Sequence, residues 1–188
     1  MIKLKDIVLE IGESTSLPYK TRLARTYDNK EDKDNKRMWI NEVYTFEIDE
    51  HPGWSGVIDL YGEIDYRDSK SGVKRDPDKT FGELSVNFDV YPYGEGGMFK
   101  SSDLGLKVMF RVMSTVLQSM KKLLKKYPEL KINTLILEPS EDKSSNLKGR
   151  GTFQRMRLFE KYILKAFGPY KKTNNTDGYR LVWNKPLK

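Results

Sequence analysis

The chain has 188 residues, and its 34 Lys and Arg against 27 Asp and Glu give a net charge of +7. It contains no cysteine and a single histidine, His51, which excludes disulfides, thiolate metal sites, a thiol nucleophile and a histidine-rich metal centre. No apolar run approaches the ~18 residues that span a bilayer, and the first residues lack a secretory-signal pattern. The expectation is therefore a soluble protein of intracellular origin with no membrane contact and no metal.

Residues 3–11 place Leu4, Ile7, Val8 and Ile11 at helical spacing, and Gly12 ends that short predicted helix. A polar turn follows at 13–16, and 28–37 is a mixed charge run that reads as an exposed loop. Three segments then alternate with period two. Residues 41–48 put Tyr44, Phe46 and Ile48 on one face. Residues 57–66 put Ile58, Leu60, Ile64 and Tyr66 opposite Asp59, Glu63 and Asp65. Residues 82–91 put Leu84, Val86, Phe88 and Val90 opposite Glu83, Ser85, Asn87 and Asp89. That pattern predicts an antiparallel meander with one wet face. His51 precedes Pro52-Gly53 and reads as a turn residue.

The pattern then changes. A loop at 92–103 carries Gly94, Gly96 and Gly97, and Ser101, Ser102 or Asp103 can cap the helix that follows. That helix, predicted over 103–126, is apolar around most of its surface and ends in Lys121, Lys122, Lys125 and Lys126, where cations suit the helix dipole. Residues 132–138 form a continuously apolar run, as expected of a strand buried on both faces and parallel to the 82–91 strand after the crossover. A polar loop at 140–149 leads to a second helix, 150–167, with Phe153, Met156, Phe159, Ile163 and Phe167 on its apolar face. Asn174 to Gly178 reads as a turn, and Tyr179 to Trp183 as a last strand.

Charge is unevenly placed along this order. Residues 1–118 hold 17 basic and 21 acidic side chains, whereas residues 119–188 hold 17 basic and 6 acidic ones, a net of +11. A basic half of this kind suits an anionic partner. The candidate side chains are Lys121, Lys122, Lys125, Lys126, Lys143, Lys148, Arg150, Arg155, Arg157, Lys161 and Lys165.

The order of meander, loop, long helix, buried strand, helix and strand resembles the GNAT acetyltransferase fold. The stretch Arg155 to Gly168, followed by Gly178-Tyr179, is similar to the end of those domains, and Val108 to Lys122 resembles phage-encoded GNAT-like proteins. The resemblance implies one α/β (α+β) domain over 1–188. Its core would be a mixed sheet, an antiparallel meander followed by a βαβ crossover and a C-terminal helix and strand. An N-terminal helix and charged loop (1–37) would be appended to the core at 38–188.

The resemblance also implies a chemistry. Acetyl-CoA would be held by backbone N–H groups at the start of the long helix, here by the loop with Gly94, Gly96, Gly97, Ser101 and Ser102. The strands flanking that helix would splay to take the pantetheine arm. A tyrosine on the second helix would protonate the departing thiolate, with a strand carboxylate as base. In this chain the tyrosine position is Phe159, Tyr162 lies three residues on, Glu83 and Asp89 are the candidate bases, and Asp103 brings a negative charge towards the phosphate site. The expectation is a catalytically degenerate GNAT-like phage protein, a virion-associated or interaction module. Its basic half would contact a protein partner in a phage assembly or nucleic acid, in the host cytoplasm or a virion. The alternative is an active acetyl-CoA-dependent N-acyltransferase, with the acidic meander face attracting an amine.

Overall fold

A computed structural model describes residues 17–29, 37–67, 73–92, 105–137, 150–175 and 178–188. The predicted N-terminal helix at 3–11, the glycine loop after Pro92 with its capping residues, and the 140–149 loop lie outside the described residues. The architecture is α+β, with two α-helices and a seven-stranded mixed sheet among the described residues. The strands are β1 (Arg22–Asp28), β2 (Arg37–Glu47), β3 (Trp54–Asp65), β4 (Gly82–Pro92), β5 (Ile132–Leu137), β6 (Lys171–Asn175) and β7 (Gly178–Val182), in sheet order β1-β2-β3-β4-β5-β7-β6. The helices are α1 (Gly105–Lys126) and α2 (Arg150–Phe167).

The meander forms as the alternation requires. In β2 the buried positions are Ile40, Glu42, Tyr44 and Phe46, and β3 presents Ile58, Leu60 and Ile64 to the same side through the registers Tyr44↔Ile58 and Met38↔Ile64. Leu84 and Val86 of β4 continue this face. The helix α1 lies across it with Val112, Met113, Val116, Met120 and Leu123 fully buried. Strand β5 pairs with β4 in parallel from Gly82↔Ile132 to Val86↔Leu137, the one parallel pair among the named strands.

Three features depart from the sequence reading. First, β1 is an additional strand, antiparallel to β2 and exposed along its whole length. An edge strand without a buried face has no alternation to detect. Its approach is anchored by Tyr19, which is 1% exposed, stacks on Phe46 at 5.4 Å and donates its backbone N–H to Thr115 Oγ1 at 2.8 Å. Second, the C-terminal element is a hairpin of β6 and β7. The turn expected over 174–178 is narrower than that, because Asn174 and Asn175 pair with Tyr179 and Gly178. Polar KKTNN carries no apolar periodicity; it is held by backbone pairing, with Lys172 Nζ 3.7 Å over the Tyr179 ring across the hairpin. Third, Trp183 lies just past β7. Its N–H bonds to Asn133 O, and Leu187 N–H to Ile132 O, so the tail runs beside the start of β5.

Close packing makes one glycine obligatory. A Cβ on Gly82 would lie 2.3 Å from Leu130 O and 2.5 Å from Glu63 O. Both obstacles are backbone atoms, so a strand must move. Gly82→Ala is expected to destabilise the protein by about 2–3 kcal/mol in urea unfolding. An unchanged midpoint would mean that this crossing is not tightly packed.

Candidate functional site

The first region of interest is the second half of β4, from Phe88 to Pro92. Among the described residues the parallel register runs from Gly82↔Ile132 to Val86↔Leu137, and β4 is paired to β3 as far as Trp54↔Pro92. Helix α2 packs behind this stretch. The Phe88 and Phe159 rings meet at 5.8 Å, tilted by 54°, and Phe159 is only 2% exposed. The Phe159 position is thus a packing site with no proton to move. Tyr162 is half-buried against the same core.

The candidate bases sit differently. Glu83, at the start of β4, accepts a hydrogen bond from Arg180 Nη1 of β7 at 2.9 Å. Strand β5 lies between them, so the ion pair bridges the parallel junction. The carboxylate that would have to receive a substrate proton is thus engaged with a guanidinium. Asp89, on the exposed side of β4, is six residues further along the strand. Alternate residues lie on one face about 7 Å apart, so the two carboxylates share a face about 20 Å apart and do not act on one atom. Gly94, Gly96, Gly97, Ser101 and Ser102 lie outside the described residues.

The second region is the basic surface at the far end of α1. The four lysines of its last turns divide into two pairs. Lys122 Nζ donates to Thr21 Oγ1 at 3.1 Å, and Lys126 Nζ to Glu42 Oε1 at 2.5 Å. Lys121 and Lys125 face instead a cleft of about 560 Å³ between α1, the end of α2 and the C-terminal tail. Lys131 and Lys188 also line it. Lys161 and Lys165 are exposed on α2, while the side chains of Arg150, Arg155 and Arg157 lie outside the described ones, as do Lys143 and Lys148.

Two charged clusters were not visible in the sequence. Glu42 points into the core at 0% exposure, and its carboxylate accepts hydrogen bonds from Tyr44, Tyr127 and Lys126. Burial alone would raise its pKa, but the three donors outweigh burial and hold it below the ordinary glutamate value. Arg111 forms the second cluster. Its guanidinium binds Glu50 at 2.7 Å and Asp49 at 3.2 Å, donates to Leu17 O, and lies 3.9 Å over the Tyr19 ring. The sequence offers one signal for the first cluster, a charged residue on the apolar stripe of β2. It offers none for the second.

Among the described residues there is no group of three or more His, Asp or Glu side chains able to hold a metal ion, and no helix long and apolar enough to cross a membrane. No protein-family model, no curated protein and no solved structure matches the chain.

Proposed function

We propose that this chain is a GNAT-like domain, of the phage-encoded kind it resembles, that works as a binding module rather than as an acetyltransferase. The observation that carries this reading is Phe159: the position that the resemblance assigns to the proton donor holds a buried phenyl ring clamped against Phe88. The Glu83–Arg180 ion pair supports it, because a candidate base is engaged in joining β4 to β7. The GNAT-like reading of the fold rests on the antiparallel meander, the long crossover helix, the parallel β4–β5 pair and the antiparallel return of β7. The contact surface would be the basic end of α1 and the neighbouring tail, facing a protein partner in a phage assembly.

One observation favours the alternative of an active N-acyltransferase. Strands β4 and β5 form a parallel pair, and the resemblance puts the pantetheine arm between those two strands. Calorimetric titration with acetyl-CoA separates the readings. No heat at millimolar ligand is the expected result. Binding in the micromolar range would overturn the binding-module reading.

A further inference from the structure

The tail beyond β7 lines a single groove. On one side lies the cleft of about 560 Å³ beside α1. On the other lies a second cleft of about 480 Å³, lined by Phe167, Trp183 and Lys185 among others. The two share Ala166, Pro186, Leu187 and Lys188, so they adjoin across the tail and form one trough that the tail helps to floor.

Two properties of this trough select its occupant. Five lysines border it: Lys121, Lys125, Lys131, Lys185 and Lys188. None of its described lining residues is acidic. Its accessible apolar lining comes from Ala166, Pro186 and Leu187, because Leu124 and Ile132 are 6% and 2% exposed. A purely electrostatic surface for polyanions has no use for such a lining. Base stacking on single-stranded nucleic acid needs open aromatic faces. Here Tyr127 and Trp183 are 4% and 6% exposed, and Trp183 also packs edge-on to Phe167.

The spacing narrows the choice further. Lys121 and Lys125 are four residues apart on α1, about 6 Å along the helix axis. In an extended peptide, side chains at alternate positions point the same way about 7 Å apart. Carboxylates at alternate positions would meet this pair of lysines, while the residues between them face the opposite side. A peptide laid edge-on would then direct its apolar residues to the trough base.

We infer that the trough is a docking site for an extended acidic segment of a partner protein, with alternating carboxylate and apolar side chains. This rests on the binding-module reading and specifies its partner. Acidic side chains pair with the lysine rim at the mouth of the trough, where each pair is solvent-exposed and salt-sensitive. Apolar side chains supply the displaced water and the register.

The test uses fluorescence anisotropy of the full chain at low salt with three labelled probes. The first is a short capped peptide alternating glutamate and leucine, the second is the same peptide with serine for leucine, and the third is a mixed-sequence single-stranded DNA. The Lys121→Glu/Lys125→Glu variant reverses two exposed charges, and Arg25→Glu/Lys107→Glu does the same away from the trough, at the β1 edge and the start of α1. Circular dichroism melts establish that both variants fold. The leucine peptide is expected to bind most tightly and to lose at least about tenfold in affinity with the first variant but not the second. Equal binding of the serine peptide would overturn the role of the apolar lining. Peptide binding unaffected by Lys121→Glu/Lys125→Glu would place the site elsewhere and overturn the inference. Tighter binding of the DNA, lost in that variant, would overturn the peptide partner while leaving a basic binding surface. Silence from all three probes would remove the binding-module reading itself.

Discussion

Truncating Tyr19 to alanine is expected to lower the unfolding free energy by about 3–5 kcal/mol, the range for removing a buried aromatic ring. The ring is 1% exposed, stacked on Phe46 and covered by the Arg111 guanidinium, and its hydroxyl donates to Glu50 Oε2 at 2.7 Å. Removal leaves a cavity between β2 and α1 and leaves Glu50 with one donor fewer. Guanidinium unfolding measures the loss, and hydrogen exchange in β1 locates it, since Tyr19 fixes the chain just before that strand. A loss below about 1 kcal/mol would show that residues 17–21 are not docked as described.

The same cluster confers an acid sensitivity. Burial alone would raise the Glu50 pKa, but the Tyr19 hydroxyl and the Arg111 guanidinium outweigh it and bring it from 4.5 down to about 2. A carboxyl depressed in the folded state contributes its full stability above its unfolded pKa and loses it as pH falls through the folded value. The window is therefore pH 4.5 down to about 2. At about 1.4 kcal/mol per pH unit, the contribution is at most about 3 kcal/mol. In Glu50→Gln this part of the acid-induced loss should vanish, with a flatter stability–pH curve below pH 4.5.

Glu42 is the second site of large effect. Glu42→Ala is expected to cost about 3 kcal/mol, because it leaves the Tyr44 and Tyr127 hydroxyls buried without their acceptor. Lys126 adds little, since it keeps its contact with the Tyr127 ring and its side chain is half exposed. Glu42→Gln keeps one acceptor oxygen and the side-chain shape, so about half of that loss is expected. Lys126→Met, which removes a donor but leaves both tyrosines paired, should cost about 1 kcal/mol or less. An order in which Lys126→Met is the worst of the three would show that the ion pair, not the tyrosine hydrogen bonds, holds the end of α1 to β2.

These two clusters explain why the candidate site was only partly legible. Lys121, Lys122, Lys125 and Lys126 are equivalent in the sequence, four cations in the last turns of one helix. In the fold, Lys122 turns to Thr21 and Lys126 to Glu42, 101 and 84 residues away in sequence. Lys121 and Lys125 meet a tail that is brought in by the hydrogen bonds of Leu187 and Trp183 to the start of β5 and by the packing of Trp183 on Phe167 and Tyr170. Glu83 reads as a solvent-facing strand residue, and its Arg180 partner comes from a strand two places away in the sheet. A side chain's role depends on what faces it, and contacts between distant segments leave no local pattern.

The sequence by itself determined the elements whose local periodicity matches their burial. Those are β2, β3 and β4 by strict alternation, α1 and α2 by apolar spacing, and β5 by an unbroken apolar run, together with the concentration of positive charge after residue 118. Tertiary structure alone decided the rest. The strands β1 and β6 exist because a neighbour's backbone offers hydrogen bonds, a force indifferent to side-chain pattern. The ionised Glu42 is tolerated in the core because three donors from β2 and the end of α1 converge on it. Periodicity records which face of an element is buried, whereas pairing and charge compensation depend on which other elements are brought against that face.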